Sequence, residues 1–195
     1  VLVHSDLCVA DKNLSPMNIS MFDYQKINKM PSFTELIVSN SVTGCVMACN
    51  RSLLNDIKNS QISNAIMHDW YVGIYAAAFG RISFIDNSLI LYRQHGGNQV
   101  GAKSFSTKDI FNIVGVKDKL LAARLSVQKT HEQAILFFDE FGERLESGRR
   151  KDLQDFINSF HTNFLCRLKL FFRRGFRKTG QLRNCIFFLV YVLKL

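Results

Sequence analysis

The sequence predicts an α/β domain followed by a C-terminal α-helical region, and three patterns carry that prediction. Up to about residue 105, short apolar runs that suit strands alternate with segments that suit helices. Within this part, residues 68–79 are apolar on all sides, which is typical of a buried helix. Beyond residue 105, hydrophobic residues recur at near-helical spacing without an interrupting proline. We therefore divide the chain into an α/β domain at 1–105 and a helical region at 106–195.

The elements of the first part each have a local signal. The apolar run at 1–3 stops at His4-Ser5-Asp6, as a buried strand that ends in a polar loop does. Gly80 is a good C-terminal stop for the helix at 68–79. The remaining predicted elements are a polar irregular stretch at 11–32, a helical turn or two at 33–39, a β-compatible run at 42–50, a short helix at 51–58, a loop up to residue 65, a strand at 81–85, a turn at 86–88 and a strand at 89–93.

In the second part we expect three or four helices, with breaks near 128–130, 142–148 and 179–180. The last helix contains an unbroken apolar run of nine residues, 185–193. A helix that spans a bilayer needs about 20 apolar residues, so this run is too short to cross one. One interpretation places it on the surface of an anionic membrane, and the other packs it against the domain with a solvated basic face.

The net charge of +9 is concentrated at the end of the chain. Residues 156–195 contain eight Lys or Arg and no Asp or Glu, whereas the first 155 residues contain 17 basic and 16 acidic side chains. A nucleic-acid-binding module would need aromatic residues interleaved with cations on an exposed face. The basic segment here is itself rich in apolar residues, so we expect membrane contact through 167–195 and no nucleic acid as a partner.

The cysteines indicate a reducing compartment. There are five, an odd number, and no two of them form a CxxC pair. This pattern argues against both a zinc site and a secreted disulfide framework. We therefore expect a cytoplasmic protein, peripheral on the inner face of the plasma membrane if the tail binds lipid.

Two acidic residues stand where a functional carboxylate could lie. Asp6 follows the first strand, and open α/β sheets bind ligands outside the carboxyl ends of their strands. The alternative is that Asp6 ends the strand and bonds nearby amides. Asp69 lies at a helix start, where unpaired amides and the helix dipole favour a negative charge that can accept a proton. The alternative for Asp69 is a helix cap, with its neighbour Trp70 filling the core.

The segment after the last predicted strand contains further candidates. Arg93 carries a fork of donors that suits a diphosphate. His95 suits a metal ion or a proton. Gly96-Gly97 would let the backbone approach a phosphate closely. Each of these residue types is more often structural than functional when it stands alone.

Taken together, these pieces resemble the family 2 glycosyltransferases. The resemblance is greatest to the bacterial rhamnosyltransferase-like members that build surface polysaccharides. It covers about residues 1–105, and order and spacing agree throughout. The residues that carry it are Val3-His-Ser-Asp6-Leu, Asn40-Ser-Val-Thr-Gly-Cys45, His68-Asp69-Trp70, Phe79-Gly80-Arg-Ile-Ser-Phe-Ile and Leu91-Tyr92-Arg93-Gln94-His95-Gly-Gly-Asn98-Gln-Val-Gly101.

The resemblance implies a GT-A fold and an inverting transfer of a hexosyl or rhamnosyl group from a nucleotide-sugar donor to a glycan or lipid-linked acceptor. Asp69 matches the base that deprotonates the acceptor hydroxyl. The expected substrate-binding residues are Thr43, Gly44, Cys45, His68, Trp70, Arg93 and Gln94, with Arg93 on the donor diphosphate. His95 matches a ligand of the divalent metal, Mg²⁺ or Mn²⁺, that serves such enzymes.

One part of the family pattern is not found in this sequence. The nucleotide-binding half, with its Asp-x-Asp metal motif, should precede residue 1, so the chain corresponds to the C-terminal, acceptor-side portion of a GT-A domain. Most of the metal shell would then belong to the preceding half, and this portion alone should bind donor poorly. The alternative function is that of a non-catalytic remnant of a transferase that acts as a membrane-associated scaffold.

Overall fold

The computed structural model describes residues 1–94 and 116–194 of this mixed α/β protein. Its small four-stranded sheet is built around strand β1 (Leu2–Ala10). Strand β4 (Ile82–Arg93) runs parallel to β1 along one edge. Two short strands, β2 (Pro16–Asn18) and β3 (Met47–Cys49), pair antiparallel with the two ends of β1. The sequence-based prediction of an α/β domain followed by helices is confirmed at this level of description.

Strand β1 is longer than predicted, because it continues through His4-Ser5-Asp6 to Ala10. All three polar residues are buried within the strand. The hydroxyl of Ser5 donates to the carbonyl of Asp6, and the carboxylate of Asp6 accepts the amide of Leu7. Local bonds satisfy Ser5 and Asp6, and the ring of His4 packs against the rings of Phe22 and Phe84. The strand therefore continues through the three residues, and the predicted stop was wrong.

The predicted turn at 86–88 was also wrong, because β4 passes through it as a bulge. Ser5 of β1 pairs with Ile85, and the next residue, Asp6, pairs with Ser88, so that two residues of β4 have no counterpart. A bulge accommodates such extra residues while the pairing resumes beyond them. Asp86, one of the two, is held by the ammonium group of Lys29, with 2.7 Å between Oδ1 and Nζ.

Four helices belong to the first part of the chain: α1 (Met21–Gln25), α2 (Phe33–Val38), α3 (Arg51–Ile57) and α4 (His68–Phe79). The predictions for 33–39, 51–58 and 68–79 are confirmed, and α4 ends at Gly80 as expected. The stretch 11–32 is less irregular than predicted, since it contains β2 and α1. The run 42–50 is less extended than predicted, since a 3₁₀ turn at Gly44–Val46 precedes β3.

The C-terminal region consists of α5 (Val116–Phe141), α6 (Ser147–Ser159), α7 (Phe164–Arg173) and α8 (Gln181–Phe187), with one π-helical turn at Phe188–Val192. The expected breaks at 142–148 and 179–180 are confirmed. The expected break at 128–130 was wrong, because α5 continues through it. There the hydroxyl of Thr130 donates to the carbonyl of Ser126 one turn earlier, a bond that lets threonine sit inside a helix.

The larger of two hydrophobic clusters in the described residues contains side chains from both parts of the chain. Tyr71 of α4 packs edge-on against Phe137 of α5, with 5.5 Å between the ring centroids. The last apolar run also contributes, because Val190, Tyr191 and Val192 are buried. These residues therefore pack against the domain, as in the second interpretation of that run. The predicted boundary between residues 105 and 106 lies outside the described residues.

Two further findings concern the cysteines and the helices. The five cysteines, Cys8, Cys45, Cys49, Cys166 and Cys185, are all free thiols. No helix in the described ranges combines the length and apolar character that crossing a bilayer requires.

Candidate functional site

The candidate site is built at the N-terminus of α4. Met67 has extended backbone angles and precedes the helix, so Asp69 is the second helical residue. The amides in the first turn of a helix have no partners within the helix. The carboxylate Oδ1 of Asp69 accepts one of them, the amide of Trp70, at 2.7 Å. The local sequence thus places a carboxylate at the positive end of a buried helix, as predicted.

Asp69 also binds the loop that precedes β3. The side-chain amide of Asn40 donates to Oδ1 at 3.1 Å, and the backbone amide of Gly44 donates to Oδ2 at 2.9 Å. The residue is only 4% exposed. Each carboxylate oxygen can accept at least two hydrogen bonds. Among the described residues, Oδ2 of Asp69 accepts one bond, so it retains one acceptor position.

Gly44 lies close to both His68 and Asp69. A Cβ atom built on Gly44 would be 3.0 Å from Nε2 of His68 and 3.2 Å from Oδ2 of Asp69. Both distances are shorter than ordinary carbon contacts, so only glycine lets this backbone approach the carboxylate so closely. Three of the predicted site residues therefore come together at one point.

The two residues on either side of Gly44 belong to the same loop. The side chain of Cys45 is exposed, and the pKa of its thiol is raised first by partial burial of the sulfur and then by the negative charge of Asp69. Thr43 is half-buried, and its carbonyl accepts the amide of Val46 at 3.1 Å. Cys45 is thus near enough to Asp69 for the carboxylate charge to raise the pKa of its thiol.

Trp70 points into the core. It is 7% exposed, and its indole N–H donates to the carbonyl of Leu36 in α2. A side chain in this position fixes α4 against α2 and has little surface to offer a substrate. This is the packing role that we considered as the alternative for Trp70.

Arg93 and Gln94 lie at the end of β4, where the strand pairs with the end of β1. Arg93 is opposite Ala10, and the amide of Gln94 donates to the carbonyl of Ala10 at 2.8 Å. Their connection to the loop of Gly44 is indirect, because Val46 and Tyr92 pack against the same small apolar cluster. His95 lies outside the described residues.

Of the two interpretations of Asp6, a functional acid or a residue that bonds nearby amides, the structure shows the bonds of the second. Its Oδ1 accepts the amides of Leu7, Met21 and Phe22, and its Oδ2 accepts the hydroxyl of Ser20. It is 3% exposed. Asp6 thus bonds nearby amides, as that interpretation stated, and holds the start of α1 against the middle of β1 rather than ending the strand.

Asn40 is the site residue that the sequence-based reasoning did not assign. Its Oδ1 accepts the amide of Val42 at 2.9 Å, which turns the chain, while its Nδ2 donates to Asp69. An asparagine that bonds the backbone two residues ahead is a common turn former. That turn signal could have been found in the sequence, whereas its bond to a residue 29 positions away could not.

The described residues do not fit a divalent metal on their own. Within 1–94 and 116–194, no three or more His, Cys, Asp or Glu side chains are grouped so as to hold one. The neighbours of Asp69 are an amide side chain, a backbone amide and an imidazole, whereas Mg²⁺ binds through oxygen ligands. No protein-family model, curated protein or solved structure matches this chain.

Proposed function

We propose that this chain is the acceptor-side part of a family 2 glycosyltransferase with a GT-A fold, and that Asp69 is its general base. The observation that supports this most directly is the convergence of Gly44, His68 and Asp69 at the start of α4. These residues come from two separate parts of the pattern that resembles the family. They meet around a carboxylate that retains one acceptor position.

The proposed reaction is a single displacement at the anomeric carbon of a nucleotide-activated hexose or rhamnose. The acceptor hydroxyl donates to Oδ2 of Asp69 and transfers its proton there as its oxygen forms the new glycosidic bond. The bond between the anomeric carbon and the diphosphate oxygen breaks with inversion, and the nucleoside diphosphate leaves. Asn40 and the amides of Gly44 and Trp70 hold the carboxylate in the orientation that this transfer needs.

The other predicted residues have supporting roles in this proposal. His68 is exposed beside the carboxylate, where its imidazole can bond a sugar hydroxyl. Thr43 and Cys45 flank the glycine on the same loop. Arg93 and Gln94 serve the donor diphosphate at the end of β4. A divalent metal belongs to the proposal only through His95 and a nucleotide-binding half, so we assign no step to it.

The partners that we propose are a nucleotide-sugar donor and a glycan or lipid-linked acceptor in bacterial surface polysaccharide synthesis. Because nucleotide sugars are cytoplasmic metabolites, the site would work on the cytoplasmic side of the membrane. A second candidate is a non-catalytic scaffold derived from a transferase. It is favoured by the burial of Asp69 and by its three bonds, which would stabilise the loop even without catalysis.

Asp69→Asn separates the two candidates. The full-length protein would be incubated with UDP-, GDP- and dTDP-activated sugars, and release of the nucleoside diphosphate would be measured. We expect Asp69→Asn to lower turnover by about 10²- to 10⁴-fold, the range contributed by a general base. Asp86→Asn is the matched control, since that carboxylate is exposed on the β4 bulge, and we expect its turnover to be unchanged.

The side-chain amide introduced by Asp69→Asn would have an N–H group where Asp69 has an oxygen that accepts backbone and side-chain N–H groups, and this could destabilise the fold. Thermal unfolding of both variants must therefore accompany the assay. Equal turnover in the wild type and in a folded Asp69→Asn variant would disprove the base assignment. No turnover with any of the three donor classes, in a folded wild type, would favour the scaffold.

A further inference from the structure

Helix α7 (Phe164–Arg173) has an apolar face on its outer side. Its inner side is formed by Arg167, Leu170 and Phe171, which are buried. With 3.6 residues per turn, Leu165 and Phe172 lie seven positions apart and point away from that inner side. Their exposed fractions are 68% and 56%, among the largest for apolar side chains in the described ranges.

Cations flank this outer face. Lys169 lies between Leu165 and Phe172 on the same side of the helix, and Arg173 follows; both are exposed. The guanidinium of Arg177 lies over the ring of Phe172, 5.5 Å from its centroid. Apolar side chains and cations are therefore interleaved on one surface.

The last turn of the chain lies beside this surface. The rings of Phe172 and Phe188 are 6.1 Å apart, which brings α7 against the last turn of the chain. In that turn Leu189 and Leu193 are 37% and 40% exposed, although the residues between them are buried. We call the set Leu165, Lys169, Phe172, Arg173 and Arg177 the α7 face.

The charge around the α7 face restricts what can cover it. Lys169, Arg173 and Arg177 are exposed on it, whereas Arg167 is buried and Arg174 is paired with Asp152. A second copy of the chain docked through this face would place these three cations against the same three cations and would be repelled. A bare polyanion would neutralise the cations but would leave Leu165 and Phe172 in water. An anionic lipid surface would neutralise the cations and also remove the apolar side chains from water. Its headgroups pair with Lys and Arg while apolar side chains enter the acyl boundary.

We propose that the α7 face docks this protein on an anionic lipid bilayer. Leu165 and Phe172 enter the interface, and Lys169, Arg173 and Arg177 contact the headgroups. Behind α7, Phe187 and Phe188 of the apolar run at 185–193 pack against Phe171. This inference does not depend on the glycosyltransferase proposal, since it concerns a surface formed by other residues.

The test is sedimentation of the protein with sucrose-loaded vesicles of phosphatidylcholine alone and of phosphatidylcholine with phosphatidylglycerol. We expect binding to the anionic vesicles only, and a loss of binding as salt is raised, because exposed charges are screened within about 8 Å at 0.15 M. Leu165→Glu with Phe172→Glu should weaken binding at least about 10-fold.

Leu121→Glu with Leu125→Glu is the matched control. Those leucines are 56% and 50% exposed on α5, and the double change alters the net charge by the same amount. We expect this variant to bind anionic vesicles nearly as the wild type does. Leu165→Ser with Phe172→Ser, which leaves the charge unchanged, should also lose binding because insertion is lost.

Three results would overturn the proposal. The first is equal binding to neutral and anionic vesicles. The second is full retention of binding by the Leu165→Ser and Phe172→Ser double variant, which would reduce the surface to a simple polyanion binder. The third is a dimer in sedimentation velocity that dissociates in that variant, which would make the α7 face an interface between copies of the chain.

Discussion

At the scale of single residues, Asp69 is held by donors from two distant parts of the chain. The loop bonds come from Asn40 and from Gly44, and the helix bond comes from Trp70. The carboxylate is therefore fixed in position before any substrate arrives. Such preorganisation is what a catalytic group requires, and it also stabilises the loop. A substitution at position 44 can separate the catalytic effect of this preorganisation from its effect on stability.

We expect Gly44→Ala to impair the site more than the fold. The new methyl group would lie 3.2 Å from Oδ2 of Asp69, which is buried and cannot move far, and 3.0 Å from His68, which is exposed and can. The expected loss of unfolding free energy is about 1–2 kcal/mol, as for a moderately overpacked position. Nucleoside diphosphate release should fall by a larger factor than the small unfolded fraction that this destabilisation produces can account for.

Gly148→Ala is the control, because a Cβ on that helical glycine meets nothing within 4 Å. It should raise stability by up to about 1 kcal/mol, the usual difference between glycine and alanine in a helix. Chemical denaturation of both variants measures the two effects. A Gly44→Ala protein with wild-type turnover would show that the close contact around Asp69 has no catalytic importance.

At the scale of elements, α4 is tied to α5 by a polar connection at the edge of the core. The hydroxyl of Tyr71 donates to the carboxylate of Glu140, whose other oxygen accepts the amide of Gln61 at 2.6 Å. Burial raises the pKa of Tyr71, so its hydroxyl remains protonated and able to donate. The helix that carries Asp69 is thereby linked to the C-terminal region.

We expect Tyr71→Phe to lower the free energy of unfolding by about 1.5–3 kcal/mol, the range for a hydrogen bond to a charged group. Glu140→Gln should cost a similar amount, and the double variant should cost less than the sum of the two, since both changes break the same bond. Urea denaturation of the four proteins gives the coupling energy.

Glu143→Gln provides the control for this cycle, because Glu143 is exposed and pairs with Arg150 instead. Its effect should simply add to that of Tyr71→Phe. Full additivity between Tyr71→Phe and Glu140→Gln as well would mean that the bond between the two side chains contributes nothing to stability.

At the scale of the whole molecule, the two parts of the chain share one core. Phe137 of α5 is fully buried and contacts Tyr71 of α4, Phe33 of α2 and Phe141. Neither part of the chain can therefore unfold without breaking the contacts of Phe137 with the other part. We expect the described parts of the protein to unfold in a single cooperative transition.

Phe137→Ala tests this expectation, with a predicted loss of about 3–5 kcal/mol for a buried phenylalanine. Trp70 is the only tryptophan, so its fluorescence reports on the site, whereas far-UV circular dichroism reports mainly on the helices. Both signals should shift together. Separate transitions would show that the two parts are independent units, and Phe172→Ala, at an exposed ring, should move neither signal.

The local parts of the fold were predictable from the sequence. The bounds of α4 follow from its apolar composition and from Gly80, and α2 and α3 have serine and asparagine caps next to their first turns. The position of Asp69 at a helix start is likewise local. These features depend on residues within one or two turns of each other, which a pattern in the sequence records.

Only the tertiary structure decided which side chains face the site, the core and the solvent. Trp70 faces α2, Asp6 anchors α1, and the bulge at Asp86 replaces a turn because β4 must stay paired with β1. In the same way, Val190, Tyr191 and Val192 of the last apolar run became buried and Phe172 of α7 became exposed. Hydrophobicity alone cannot make these choices, because burial depends on which surfaces remain after the other elements have packed. The sequence by itself therefore determined the helices and the carboxylate at the start of α4, and the packing determined its partners.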